Sequence, residues 1–383
     1  MRDVVVLGVG QTMFGKLPNS TVDELGSQAA KKAIEDAGID PRGIQIAYSA
    51  RAVDAQVNAQ SILKRIGITR IEMHNVENAC ASGSTAVHLL WKDIAYGIYD
   101  MGIVIGVETM TTSSLAGRLI PPSGKDDLNR LVGETMPSSF ALIGRRLMET
   151  RGATREDLAY PSVKNHRNAC MNPVAQYKKP FTVEEIINSK MVCDPLTLFQ
   201  CCPFTDGSAA VVLCSEAVAK RHTTKLIKIA SSVIMSGDYE TADEEITRFS
   251  TVERLSNAAY EKAGIGPKDL DLIELHDAFS PEEICAYEAL GICNPGDGIS
   301  FMRSGATEIG GKIPVNPSGG LLSLGHPLGA SGTRVVCEVT LHLRGEAGER
   351  QIRGAKVGMA EMVGGYIAGM TNPVAGGIQI LKN

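Results

Sequence analysis

The chain repeats itself. Ala33, Glu35, Ala37, Gly38, Ile39 and Pro41 are matched in type, at one constant offset, by Ala259, Glu261, Ala263, Gly264, Ile265 and Pro267. A second echo pairs Ala81-Ser82-Gly83 with Ala330-Ser331-Gly332. Repetition this far apart points to a duplicated unit whose copies pack as equivalents. The unit is α/β in character. Val4 to Leu7, followed by Gly8, reads as a buried strand, and Thr21 with Glu24 three residues later forms a capping box that opens a helix running to Ala37. Gly38 stops that helix, Pro41 lies beyond it, and the apolar segment Ile44 to Tyr48 follows. The first copy is expected over 1–225 and the second over 226–383. Residues from Ser113 to about Phe204 depart from the strand and helix alternation, so they are read as a loop domain inserted in the first copy. Equivalent halves around a pseudo-twofold would bring the regions of Cys80 and His326 toward one centre.

Composition excludes several classes of function. With 383 residues, 44% of them hydrophobic, and a net charge of −5, the chain can bury substantial cores and has no basic excess for nucleic acid. No stretch of about 18 apolar residues suggests a membrane span, and Met1-Arg2-Asp3 does not begin a signal peptide. Nine cysteines, an odd number, argue for a reducing compartment, so a cytoplasmic location is expected. Cys193, Cys201 and Cys202 cluster, but adjacent cysteines do not match the C-x2-C pairing of zinc sites, and no metal is expected.

Two stretches carry chemistry. Asn75-Val-Glu-Asn-Ala-Cys80-Ala-Ser-Gly-Ser-Thr-Ala-Val-His-Leu-Leu90 sets a cysteine at the start of a helix marked by Ala86, Leu89, Leu90 and Ile94. Unpaired N–H groups and the positive dipole end at such a position favour a thiolate. Taken alone, Cys80 reads equally well as a small buried hydrophobe. Asn316-Pro-Ser-Gly-Gly-Leu-Leu-Ser-Leu-Gly-His326-Pro-Leu-Gly-Ala-Ser-Gly-Thr333 puts a histidine on a glycine-rich turn. At Cys80 and His326 the sequence resembles the thiolase superfamily, marked by a cysteine before a small-residue helix and a GHPxGxSG loop. Leu272-Ile-Glu-Leu-His276-Asp-Ala-Phe279 resembles the HDAF segment of the branch holding sterol-carrier-type and archaeal thiolases. The resemblance covers nearly the whole chain.

It implies a thiolase fold of duplicated βαβαβαββ halves in five αβαβα layers, with the loop domain over the substrate. It also implies Claisen condensation, or its reverse, on coenzyme A thioesters. Cys80 would be the nucleophile, His326 the base and His276 a donor to the thioester oxygen, while backbone N–H groups at Cys80 and near Gly364 would hold a tetrahedral oxyanion. Coenzyme A enters as a co-substrate and no cofactor is permanently bound. Lys164, Arg167, Lys178 and Lys179 could meet its phosphates, although a solvated surface is the commoner role for any one of them.

One part of the family pattern is missing. Most thiolases supply a second cysteine from a CxGGG segment, and here Val357-Gly-Met-Ala-Glu361-Met-Val-Gly-Gly365-Tyr sets Glu361 at that position. A buried carboxylate whose pKa rises by desolvation could transfer the same proton. The alternative is a structural Glu361, with His326 serving both proton steps. The departure points to a bulky or branched substrate such as benzoylsuccinyl-CoA. Rivals are an acetoacetyl-CoA thiolase, a ketosynthase-like condensing enzyme, which lacks its GTNAH segment here, and a non-catalytic scaffold subunit. The resemblance further implies at least a homodimer, with its contact expected near Ile103 to Val107, and a small zinc-ribbon and OB-fold accessory subunit.

Overall fold

The computed structural model describes residues 1–118, 120–121, 128–239, 245–367, 370 and 373–383. Residues 119 and 122–127 of the expected loop domain lie outside the described residues.

The first part of the chain runs β1 (Val4–Gln11), α1 (Val22–Ala37), β2 (Ile46–Ala50), α2 (Asn58–Lys64), β3 (Glu72–Val76), α3 (Ser82–Ala95) and β4 (Met101–Thr109). An excursion follows, with helices α4 (Leu128–Leu131), α5 (Met136–Arg151), α6 (Arg155–Ala169) and α7 (Val183–Ile187) and a small ribbon of β5 (Met191–Cys193) and β6 (Leu196–Thr197). The chain returns through β7 (Asp206–Ser215) and α8 (Glu216–Ala219). It then runs β8 (Ile227–Ser236), α9 (Ser250–Ala263), β9 (Leu272–Glu274), α10 (Ser280–Ala289), α11 (Gly298–Arg303), α12 (Leu328–Arg344), β10 (Val357–Gly364) and β11 (Ala375–Lys382).

The strand order is β3-β2-β4-β7-β1-β8-β11-β10-β9, which reads alike from both ends. Its centre is a short antiparallel join, Val5 opposite Lys228 and Val6 opposite Ile227, so the two halves form one nine-stranded sheet. A bridge from Ile273 to Val315 extends the β9 end, as β3 extends the β2 end. The repeated stop signals coincide: Gly38 (φ 63°) ends α1 and Gly264 (φ 67°) ends α9, each left-handed where glycine carries no penalty. The expected capping box on α1 forms between Thr21 and Glu24.

Alternation along the strands builds five layers. Val5, Leu7, Ile103, Ile105 and Val107 point to one face and pack beneath Leu25, Ala29, Ala33 and Ile34 of α1. Val4, Val6 and Val104 point to the other face, toward Val87 and Leu90 of α3 and Val335 and Val339 of α12. Those two helices pack on each other and on strands of both halves, so they form the middle layer. Beyond the second half-sheet, Val252, Leu255 and Ala259 of α9 cover Met359, Val363 and Ile378. With both faces covered, the strands read as near-continuous apolar runs.

The expected dimer contact near Ile103 to Val107 is corrected. β4 lies between β2 and β7, and Ile103, Val104, Ile105 and Val107 are fully buried. The exposed edge of this half is β3, where Glu72, Asn75 and His74 face solvent.

Candidate active site

Two helix starts meet at the middle of the molecule. A Cβ built on Gly83 would lie 2.5 Å from the backbone nitrogen of Thr333, and one on Gly332 would lie 2.3 Å from that of Ser84. Only hydrogen fits at that crossing, so the Ala-Ser-Gly echo is the contact between α3 and α12. The crossing carries the residues just ahead of both helices, Cys80 and His326, to one place.

The turn that presents Cys80 is tightly held. Ala79 sits in the left-handed region at φ 48°, an uncommon position for a non-glycine residue. Ser82 Oγ accepts the Asn78 N–H at 2.8 Å and donates to Ala79 O at 2.6 Å. A Cβ on Gly364 would lie 2.6 Å from Cys80 Cβ, so the end of β10 is in direct contact with the cysteine.

His276 follows β9 and His326 precedes α12. Their ring centroids are 5.1 Å apart at 82°, and ligand atoms of Cys80, His276 and His326 all lie within 4.8 Å of one another. Both imidazoles are buried, and each Nε2 lacks a hydrogen-bond partner among the described residues.

At Nδ1 the two rings differ. His326 Nδ1 is 2.8 Å from Ser331 Oγ, and that hydroxyl donates to Pro327 O at 3.0 Å. The serine oxygen therefore accepts the Nδ1 proton, which leaves a lone pair on Nε2. Burial, then the charges of His276 and Arg334, hold His326 well below the ordinary histidine pKa. His276 Nδ1 lies 2.7 Å from Glu282 Oε1. Burial alone would push His276 down, but the Glu282 carboxylate and the adjacent Cys80 overturn that, and its pKa ends well above the ordinary value.

Asp277 does not pair with its histidine neighbour. Its carboxylate accepts Leu321 N–H at 2.6 Å and Asn165 Nδ2–H at 2.7 Å, which latches the His276 loop to the wide turn Gly320–Leu324 that leads into His326. Lys164 and Asn165 of α6 complete this buried layer: Lys164 Nζ donates to Val315 O at 2.7 Å and pairs with Glu283 at 2.5 Å.

The triad opens on a cavity of about 400 Å³ with a mainly apolar wall. Met136, Phe140 and Ile143 of α5 face it, as do Phe249 and Phe279, with Phe140 and Phe279 stacked at 4.6 Å and 20°. Cys201 and Cys202 also line it, tied to the His276 loop by Cys202 N–H to Ala278 O at 2.8 Å.

The expectation for Lys164 is corrected, and the structure gives the other candidates other partners. Lys164 is fully buried in its pair with Glu283 and cannot meet a phosphate; Arg167 pairs with Glu308, Lys178 donates to Pro173 O, Lys179 pairs with Glu185, and none of the four lines the cavity. Among the described residues, the lysine and arginine on the cavity wall are Lys16 and Arg118, both exposed. Glu361 is buried, and burial pushes its pKa up to about 7, against the pull of the His276 N–H and ring charge. Yet it does not line the cavity. Its Oε2 accepts the backbone N–H of His276 at 2.8 Å, behind the wall. Sequence reasoning missed Glu282, whose only signal was a carboxylate in the first turn of the helix after HDAF.

With this geometry in hand, the comparisons with known proteins are direct. Residues 4–217 match the thiolase N-terminal domain and residues 235–375 the thiolase C-terminal domain-like family, so the chain belongs to the thiolase family and is an acyltransferase. It is 39% identical over 368 residues to benzoylsuccinyl-CoA thiolase subunit BbsB of Thauera aromatica, covering 95% of each chain. It is 41% identical over 371 residues to an acetyl-CoA acetyltransferase of Methanothermobacter thermautotrophicus, covering 95% of this chain and 97% of that one. Among solved structures, the Ltp2-ChsH2(DUF35) aldolase superposes with a TM-score of 0.85 at 25% identity, over 99% of this chain and 97% of that one. Human mitochondrial 3-ketoacyl-CoA thiolase shares the fold, with a TM-score of 0.75 at 18% identity over 100% and 99%.

Proposed function

We propose that the protein cleaves a bulky or branched 3-oxoacyl-CoA with coenzyme A, or runs the reverse condensation, through an acyl-enzyme on Cys80. The observation that carries this is the convergence of Cys80, His276 and His326 within 4.8 Å at an apolar cavity.

His326 Nε2 takes the Cys80 proton, and the thiolate attacks the β-keto carbon. Backbone N–H groups of Cys80 and Gly364 face the tetrahedral oxyanion. The carbon–carbon bond breaks, its electron pair goes to the α-carbon of the departing enolate, and His276 Nε2–H supports the enolate oxygen. His326 returns its proton to that carbon and the shorter acyl-CoA leaves. Coenzyme A then gives its thiol proton to His326, attacks the acyl group, and Cys80 leaves and is reprotonated. His326 thus serves both proton steps, while Glu361 holds the His276 backbone N–H.

Phe140, Phe279, Phe249 and Ile143 favour a large, flat or branched acyl group over acetoacetyl, in keeping with the likeness to the benzoylsuccinyl-CoA enzyme. Lys16 and Arg118 meet the coenzyme A phosphates. The two copies divide at residue 225, between α8 and β8. The protein works as a homodimer or larger, with a small zinc-ribbon and OB-fold accessory subunit; the subunit naming of BbsB and the DUF35 component of the aldolase support a complex with a second kind of subunit. A cytoplasmic location is supported by nine cysteines, all free, and by the lack among the described residues of a helix able to cross a membrane.

A coenzyme A-dependent cleavage assay over short, long, branched and aromatic 3-oxoacyl-CoA esters tests the reading. Turnover of a bulky ester with at least about tenfold higher kcat/KM than acetoacetyl-CoA is expected. Preference for acetoacetyl-CoA overturns the substrate assignment.

A further inference from the structure

Cys80 faces two imidazoles that look interchangeable. Both are buried, both leave Nε2 unpartnered among the described residues, and both reach the thiol within the same 4.8 Å. The chemistry is not interchangeable, because one ring must accept a proton while the other must hold one. What separates them lies on the far side of each ring. Each partner receives the Nδ1 proton, but His326 rests on a neutral hydroxyl, whereas His276 rests on a carboxylate whose charge favours the doubly protonated ring.

We propose that Glu282 is the positioning residue that assigns these roles: its carboxylate, 2.7 Å from His276 Nδ1, keeps that ring doubly protonated with Nε2–H as the donor and leaves His326 as the base. This rests on the thiolase reading above and adds to it a residue whose place in the reaction follows from geometry.

The local fold shows why this carboxylate does it. Glu282 and Glu283 are neighbours in the first turn of α10, where negative charge is favoured by the helix N-terminus. They turn opposite ways. Glu283 joins the buried layer with Lys164, Asn165 and Asn316 and never reaches the cavity. Glu282 lines the cavity, is 3% exposed, and donates nothing: Oε1 takes the His276 ring proton while Oε2 has no partner among the described residues. The groups facing His276 from every element packed against it are Cys80 before α3, His326 before α12, Glu361 on β10 and Glu282 on α10. Of these, Glu361 contacts the backbone N–H, so Glu282 is the one carboxylate among them bonded to the ring. A charged His276 presents Nε2–H to the enolate oxygen and also places a positive charge beside the Cys80 thiolate.

The test is Glu282→Gln, which keeps an acceptor oxygen at the same point but removes the charge, read by the pH dependence of kcat and by an NMR titration of His276. His276 has a raised pKa, so its charged form is lost as pH rises, and the wild-type kcat should fall on the alkaline side. In Glu282→Gln that limb moves at least one pH unit toward acid, kcat at neutral pH falls about a hundredfold, and KM changes less than about threefold. The rate of Cys80 alkylation by iodoacetamide falls more steeply in His326→Ala than in Glu282→Gln, since the base is His326. An unmoved alkaline limb with kcat within twofold of wild type overturns the proposal. So does a wild-type His276 that titrates at or below the ordinary histidine value, a measurement that needs neither the variant nor a substrate. If no 3-oxoacyl-CoA is cleaved by the wild type, the thiolase reading fails while the titration still decides the role of Glu282.

Discussion

At the residue scale, burial and partner decide what each side chain can do. Cys80→Ala leaves the cavity and both histidines in place but removes the nucleophile, and cleavage should fall at least about a thousandfold. Loss of less than tenfold in a steady-state assay would favour the scaffold reading. Glu361 offers a separate test through stability. Its carboxyl has a folded pKa of about 7 against an ordinary value of 4.5, so its favourable contribution is complete below the unfolded value and is lost as pH rises through the folded one. The difference amounts to about 3 kcal/mol. Glu361→Gln keeps an acceptor for the His276 N–H, and in thermal unfolding at pH 5 and pH 8 the loss of stability toward pH 8 should be clearly smaller than in the wild type. Lys16→Ala and Arg118→Ala should each raise KM for coenzyme A about fivefold with kcat unchanged, whereas Lys164→Met should cost stability and leave KM alone. Steady-state kinetics in coenzyme A separates these cases. Cys80 and His326 were legible together, because a cysteine before a small-residue helix and a histidine on a glycine-rich turn match the thiolase motifs, whereas Cys80 alone read equally well as a small buried hydrophobe. Lys164 was misread because a lysine's sequence neighbours do not show whether it ends in solvent or against a carboxylate such as Glu283.

At the element scale, the crossing of α3 and α12 does the positioning. Gly83 and Gly332 meet backbone to backbone, and the nearest atom that a methyl at either would strike is a main-chain nitrogen that cannot swing aside. Gly332→Ala should therefore push the helices apart, cost about 1 to 3 kcal/mol, and slow Cys80 alkylation as the thiol and His326 separate. Unfolding and iodoacetamide kinetics on the same sample check both. A fully stable variant with unchanged alkylation would show that the crossing does not set the site. The two echoes exposed this crossing in the sequence, since both copies keep the same Ala-Ser-Gly. The His276 loop was only half legible: a histidine ending a strand was plain, but Glu282 becomes its partner only because the next helix folds back over the cavity. Asp277, the nearer acid in sequence, is taken by Leu321 and Asn165.

For the whole molecule, duplication explains the architecture. A strand order that reads alike from both ends, joined at Val5 and Val6, lets one pattern of alternating faces bury two half-sheets around a shared pair of helices. The repeated helix stops foretold this, but the strand pairing at the centre left no signal, because two residues of ladder look like any other apolar pair. The dimer contact was misplaced for the same reason: Ile103 to Val107 is apolar whether a strand is covered by its own sheet or by a second chain, and β7 supplies the cover here.

The central claim is that Cys80 carries the acyl group. Intact protein should be mixed with a bulky 3-oxoacyl-CoA without free coenzyme A, quenched in acid, digested and analysed by mass spectrometry. The account predicts an acyl mass on the Cys80 peptide that disappears on adding coenzyme A and never forms in His326→Ala. An acyl group on Cys202 instead, or release of product from Cys80→Ala at the wild-type rate, would contradict it.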